Sequence, residues 1–84
     1  LKKICAIAQA YHIQVAPHNA QGPVCTAACL HVDASTPNIL IQEVFEDFAT
    51  PFAERITDFP VVIVDGHVLI PDRPGLGVDL DETE

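Results

Sequence analysis

The order of two helical segments and two short apolar runs constrains the fold of this 84-residue chain more than any other feature. Leu1 to about Tyr11 carries apolar side chains at helical spacing, and Ile13 to Ala16 then has the length and β-branched content of a buried strand. A second helical segment begins at Gly22-Pro23, and a second apolar run spans Ile39 to Ile41. This order of helix, strand, helix and strand predicts parallel strands with helical crossovers, the α/β class.

Polar side chains follow both predicted strands. Pro17 ends the first run and exposes His18 and Asn19, and Glu43 closes the second run 25 residues after His18. One βα unit of a barrel takes roughly 30 residues, so the interval fits two neighbouring strand ends. Adjacent strands lie about 4.8 Å apart, and we therefore expect imidazole and carboxylate to face one pocket, with the histidine as an acid/base candidate. The alternatives are a structural histidine and an ordinary solvated carboxylate.

The second half of the chain predicts one broken helix or two short helices, followed by a β-hairpin. The amphipathic stretch VFEDFATPFAERITDF, residues 44–59, is interrupted by Pro51. Two β-rich runs flank Asp65-Gly66, which is one of the strongest short turn signals. The acidic end DLDETE is expected to be a solvated tail.

Charge and cysteine content argue against several classes of function. A net charge of −8 with only four Lys and Arg disfavours both nucleic acid and an anionic membrane surface as partners. No apolar run approaches the roughly 20 residues of a membrane span, and a cytoplasmic location is expected. The three cysteines do not make a dense disulfide framework, no second Cys or His pair completes a zinc site, and Cys25 lacks a readable general base. His12, His31 and His67 are expected to be structural or surface residues.

Three motifs in order resemble one known group. The stretches VAPHNAQGPVCTAACLHVDASTPNILIQE and DGHVLIPDRPGLGVDLDE are similar to the C-terminal part of acid-sugar dehydratases in the mandelate racemase subgroup of the enolase superfamily, closest in pattern to the galactonate type. The resemblance implies a modified TIM-type (β/α) barrel, with residues 1–58 as its C-terminal part and Ile13–Ala16 and Ile39–Ile41 as its last two strands. Residues 59–84 would return as a hairpin segment that completes an α+β capping domain. The uncapped start at Leu1 also suggests a chain entered in mid-helix.

The same resemblance assigns roles to individual residues. It implies that His18 is the acid/base catalyst and that Glu43 and Asn19 bind a sugar-acid substrate. The reaction would remove the proton α to the carboxylate and then eliminate water, with Mg²⁺ stabilising the enediolate. The metal ligands and the aspartate that orients the histidine are expected upstream, with none in this chain, and the full-length protein is expected to be a homo-oligomer.

Other activities and one other class of protein are the competing interpretations. Racemases, epimerases and cycloisomerases of the superfamily use the same enolate step. The alternative that is not an enzyme is a self-contained binding or structural module of 84 residues.

Overall fold

The computed structural model describes residues 1–45, 55–58, 61–70 and 72–83. The helices and strands that lie wholly within these ranges are, in chain order, α1 (Lys2–Ala10), α2 (Pro23–Ala34), β1 (Ile63–Val64) and β2 (His67–Val68). The prediction of one broken helix or two short helices over 44–59 falls mostly on residues 46–54 and 59, outside the described ranges, while the described residues 55 and 56 are helical. No helix in the described ranges is long and apolar enough to span a bilayer.

Helix α1 confirms the prediction for the first segment and ends in a left-handed residue. Leu1 occupies the N-cap position without a side-chain hydrogen bond. At the other end, the amide of His12 donates to Gln9 O (2.9 Å) and that of Ile13 donates to Ala8 O (2.9 Å). His12 has φ of 56°, so this is a Schellman-type ending with histidine where glycine is usual.

Helix α2 begins as the Gly22-Pro23 pair predicts. Gly22 is the N-cap residue with φ of 101°, a conformation that favours glycine, and Pro23 takes the first helical positions, where a missing N–H has no cost. The helix buries Ala27 and Leu30, which pack against Val61 and Val68 of the hairpin region and Val78 near the C-terminus. Burial of this face fixes α2 against the second half of the chain.

The two predicted strands are reduced to a single parallel bridge, which corrects their predicted extent. Val15 pairs with Ile39, the amide of Val15 donates to Asn38 O (2.8 Å), and the amide of Leu40 donates to Val15 O (2.9 Å). The next donor on the first segment in this register is Pro17, which has no N–H. Proline therefore ends the ladder after one pair, although direction and adjacency are those predicted.

The hairpin is confirmed. Strands β1 and β2 pair antiparallel, with Ile63 opposite Val68 and Val64 opposite His67. Both turn residues have positive φ, 49° at Asp65 and 75° at Gly66, as a type I′ turn requires.

Candidate active site

The structure brings His18 and Glu43 into direct contact at the ends of the bridged segments. His18 Nδ1 meets Glu43 Oε2, and the two side chains are 75% and 40% exposed. The imidazole thus lies open to solvent while one of its nitrogens is held by a carboxylate. When the ring is neutral, an Nδ1–H donated to Glu43 leaves Nε2 with a lone pair, able to take a proton from a substrate.

The backbone around Pro17 holds the two segment ends together beyond the single bridge. Pro17 O accepts hydrogen bonds from the backbone amide of Glu43 (3.3 Å) and from Gln42 Nε2 (3.3 Å). Regular parallel pairing from the Val15–Ile39 bridge would give that carbonyl to the amide of Gln42. The Gln42 side chain takes this place instead and also donates to Glu43 O (2.7 Å). Sequence reasoning missed Gln42, although it directly precedes Glu43.

Asn19 is buried, contrary to the exposure that the sequence suggested. Asn19 is 1% exposed. Its side-chain Nδ2 donates to Thr26 Oγ1 (2.7 Å), and its Oδ1 accepts from the backbone amide of Gln21 (3.3 Å). Its own backbone N–H donates to Glu43 Oε2 (3.1 Å), the oxygen that also meets His18. The side-chain amide of Asn19 is thus directed into the protein. Its role in substrate binding stays a prediction.

Helix α2 carries ionisable groups at intervals of four residues, Cys25, Cys29 and Asp33. Burial, with smaller contributions from Cys25 and Asp33, raises the pKa of the Cys29 thiol to about 11. Burial also raises the pKa of Asp33, whose two carboxylate oxygens have no hydrogen-bond partner among the described residues. Both environments favour the protonated form of the group, which for Cys29 is a weakly nucleophilic thiol. All three cysteines are free thiols.

The remaining histidines contact main-chain carbonyls or lie at a helix end, as predicted for structural or surface residues. His31 Nε2 lies 3.1 Å from Leu76 O, and His67 Nδ1 lies 2.9 Å from Asp65 O. His12 is exposed and belongs to the end of α1. Within the described ranges, no three His, Cys, Asp or Glu side chains gather as a metal site would require.

The whole chain, residues 1–84, matches the protein family described as enolase C-terminal domain-like. It is 46% identical over 81 residues to the D-gluconate/D-galactonate dehydratase of Picrophilus torridus, covering 96% of this chain and 20% of that protein. It is 40% identical over 87 residues to the D-galactonate dehydratase of Xanthomonas oryzae pv. oryzae, covering 95% of this chain and 22% of the relative. The chain therefore spans about a fifth of the length of these curated relatives.

Solved structures share the fold of this chain. One is an enolase of the mandelate racemase subgroup from Agrobacterium tumefaciens, with a TM-score of 0.83, 35% identity, and coverage of 95% of this chain and 22% of that one. Another is a Burkholderia xenovorans protein assigned as an L-alanine-DL-glutamate epimerase, with a TM-score of 0.88, 37% identity, and coverage of 96% and 20%.

Proposed function

The chain belongs to the enolase C-terminal domain-like family, part of a TIM-barrel fold, and we propose that it is the C-terminal segment of an acid-sugar dehydratase. The contact between His18 Nδ1 and Glu43 Oε2 carries this proposal. An imidazole beside a carboxylate at the carboxyl ends of two parallel segments, where barrel enzymes build their sites, supports an acid/base role for His18. The relatives named as sugar-acid dehydratases support the reaction class.

The proposed reaction is a proton abstraction followed by loss of water. A base removes the proton α to the sugar-acid carboxylate, the electron pair of the C–H bond forms an enediolate, and the β-hydroxyl then leaves with a proton as water. The resulting enol tautomerises to a 2-keto-3-deoxy acid. His18 Nε2 is directed away from Glu43, so it is the nitrogen that we assign to proton transfer, either as the base or as the acid that protonates the leaving hydroxyl.

Glu43 is proposed to contact the substrate while it holds His18. Among the described residues, the Glu43 side chain contacts Asn19 N and His18 Nδ1, and both contacts use Oε2. Oε1 is thereby left to accept a hydrogen bond from a substrate hydroxyl.

The chain is proposed to supply the end of the barrel and part of a capping domain, and the rest of the enzyme is proposed to lie outside it. We assign residues 1–58 to the end of the barrel and 59–84 to a returning segment that completes a capping domain, in a cytoplasmic homo-oligomer. Members of the superfamily generally use Mg²⁺. The described residues do not gather ligands for it, so the metal is proposed to be held by upstream residues, and no step derived for His18 or Glu43 passes through it.

A racemase or epimerase is the second candidate, supported by the fold shared with the protein assigned as an epimerase. Both candidates begin with removal of the α-proton. Incubation of the full-length protein with sugar acids in D₂O separates them. A dehydratase forms a 2-keto-3-deoxy acid, whereas an epimerase returns a deuterated stereoisomer with its β-hydroxyl retained.

The variant His18→Asn in the full-length protein tests the catalytic assignment. We expect dehydration to fall by about 10²- to 10⁴-fold, the usual contribution of a general acid or base, while Mg²⁺ binding is unchanged. His67→Asn is the matched control, because His67 is exposed and its ring nitrogen lies at hydrogen-bond distance from the carbonyl of Asp65 in its own turn. Wild-type turnover in His18→Asn would remove the catalytic role.

A further inference from the structure

The hydrogen bonds of Asn19 point to a role different from substrate contact. Its side chain is buried, with Nδ2 donating to Thr26 Oγ1 at 2.7 Å and Oδ1 accepting from the Gln21 amide at 3.3 Å. Both ends of the amide are therefore engaged inside the protein. A substrate above His18 would have to break these bonds to reach it.

Thr26 anchors Asn19 to helix α2. Thr26 is 0% exposed, lies in the first turns of the helix, and its hydroxyl also lies 3.2 Å from Gly22 O. A buried Asn Nδ2 without an acceptor is costly, so the Asn19–Thr26 bond strongly favours one conformation of the segment that carries His18. The Asn19–Thr26 bond thus ties this segment to α2.

The backbone of Asn19 passes this restraint to the reacting pair. Its N–H donates to Glu43 Oε2 at 3.1 Å, the oxygen that meets His18 Nδ1. The His18–Glu43 pair is itself largely exposed, and exposed ion pairs are too weak to hold their own geometry. The position of the Glu43 carboxylate, and with it the contact to His18, therefore depends on the buried bond between Asn19 and Thr26.

We propose that Asn19 and Thr26 form a positioning pair that holds the Glu43 carboxylate against His18 Nδ1, in addition to the orienting aspartate expected upstream of this chain. This inference rests on the proposed function for its kinetic consequence, but its structural consequence stands without it. The carboxylate oxygen stays between two donors only while Asn19 is locked to α2. Loss of this bond would displace the Glu43 carboxylate from His18 and slow the chemical step, while the substrate contacts of other residues remain.

Kinetics of Thr26→Val in the full-length protein test the proposal. Valine keeps the shape of threonine and removes the hydroxyl, so we expect kcat to fall about 10- to 100-fold, the scale of an ångström-level misplacement, with KM changed less than about 2-fold. Thr26→Ser keeps the hydroxyl and is expected to restore kcat to within about 3-fold of wild type. Should the valine variant not fold, Thr26→Ala removes the same hydroxyl and serves in its place.

An NMR signal tests the same proposal independently of turnover. In protein labelled with ¹⁵N-histidine, the Nδ1 resonance of His18 reports its contact with Glu43, and it is assigned by its loss in His18→Asn. We expect this resonance to shift in Thr26→Val and to stay in place in Thr26→Ser. If the wild-type protein turns over no sugar acid, the proposed function fails, and this signal alone decides the positioning role.

Two results would overturn the positioning role. One is wild-type kcat together with an unmoved His18 resonance in the variants that lack the hydroxyl. The other is a raised KM with unchanged kcat in Asn19→Ala, since that pattern belongs to a residue that binds substrate in the ground state.

Discussion

At the scale of single residues, Arg73 joins two aspartates that are distant in sequence. Its Nη2 lies 2.5 Å from Asp58 Oδ2 and 3.8 Å from Asp79 Oδ2, and the amide of Asp79 donates to Asp58 Oδ1 (2.7 Å). The hydrogen bond from Arg73, followed by that from the Asp79 amide, holds the pKa of the Asp58 carboxyl below its ordinary value. These contacts tie residues 55–58 to the C-terminal segment beside the Thr57–Leu80 bridge.

The variant Arg73→Gln is expected to raise the pKa of Asp58 toward the ordinary aspartate value of about 3.9. Because the folded pKa is lowered, the stabilisation is present above the unfolded pKa and is lost as pH falls through the folded one. Carboxyl ¹³C NMR titration of the full-length protein measures the shift. Lys3→Gln removes an equal charge from exposed α1 and should leave Asp58 unchanged. An unaltered Asp58 titration in Arg73→Gln would contradict the assignment.

Residue identity alone predicts some members of the candidate site and not others. His18 and Glu43 follow apolar runs, so their positions along the chain place them at the ends of neighbouring segments, and the structure finds them in contact. The direction of the Asn19 side chain depends on Thr26, which is seven residues ahead on another element. Gln42 replaces a backbone donor at Pro17, which depends on register. Local sequence contains neither of these last two facts.

At the scale of elements, helix α1 is followed by His12 in the left-handed conformation, which is unfavourable for a residue with a Cβ. His12 adopts φ of 56° while its amide and that of Ile13 close the last turn. The left-handed region costs a residue with a Cβ roughly 1–2 kcal/mol, whereas glycine enters it freely. The strain is retained at the junction between α1 and the segment that leads to Val15.

The variant His12→Gly is therefore expected to stabilise this junction by about 1 kcal/mol. Hydrogen exchange of the Ile13 amide, which donates to Ala8 O, should slow about 5-fold, since local opening controls that exchange. His12→Ala is the matched control, because it removes the imidazole but keeps the Cβ, and exchange should not slow. Faster exchange in the glycine variant would show that the imidazole itself holds the helix end.

Turn chemistry predicts an element well when every determinant is local. The hairpin at Asp65-Gly66 is set by two residues that accept positive φ, and it forms as predicted.

Strand length, in contrast, depends on neighbours. The runs Ile13–Ala16 and Ile39–Ile41 are apolar, a composition typical of parallel strands that are covered on both faces. Here they have one partner each among the described residues, and Pro17 removes the next donor, so only one bridge forms. Strand length therefore depends on pairing partners that the pattern does not contain.

At the scale of the whole molecule, the chain exposes more surface than a self-contained protein of its size. Its accessible surface is 6042 Å², against about 4,900 Å² expected for a folded monomer of this mass. Its radius of gyration is 13.6 Å, against about 12 Å for a compact domain of this length. Large apolar side chains contribute to the excess, with exposures from 63% to 74% for Ile4, Ile7, Tyr11, Leu40 and Ile41. The α1 face and the second bridged segment thus offer apolar area to further chain.

The isolated 84-residue chain is accordingly expected to unfold without a sharp cooperative transition and to bind the dye ANS, which reports exposed apolar surface. Among the described residues, the fully buried apolar side chains are few and small, Cys5 and Ala27 among them, so we do not expect hydrophobic burial to offset the conformational entropy of folding. Calorimetry of the isolated chain beside the full-length protein measures this, and the full-length protein is the control that should unfold cooperatively. A sharp transition of the isolated chain as a monomer would instead favour the self-contained module, because such a unit needs no further chain to cover α1.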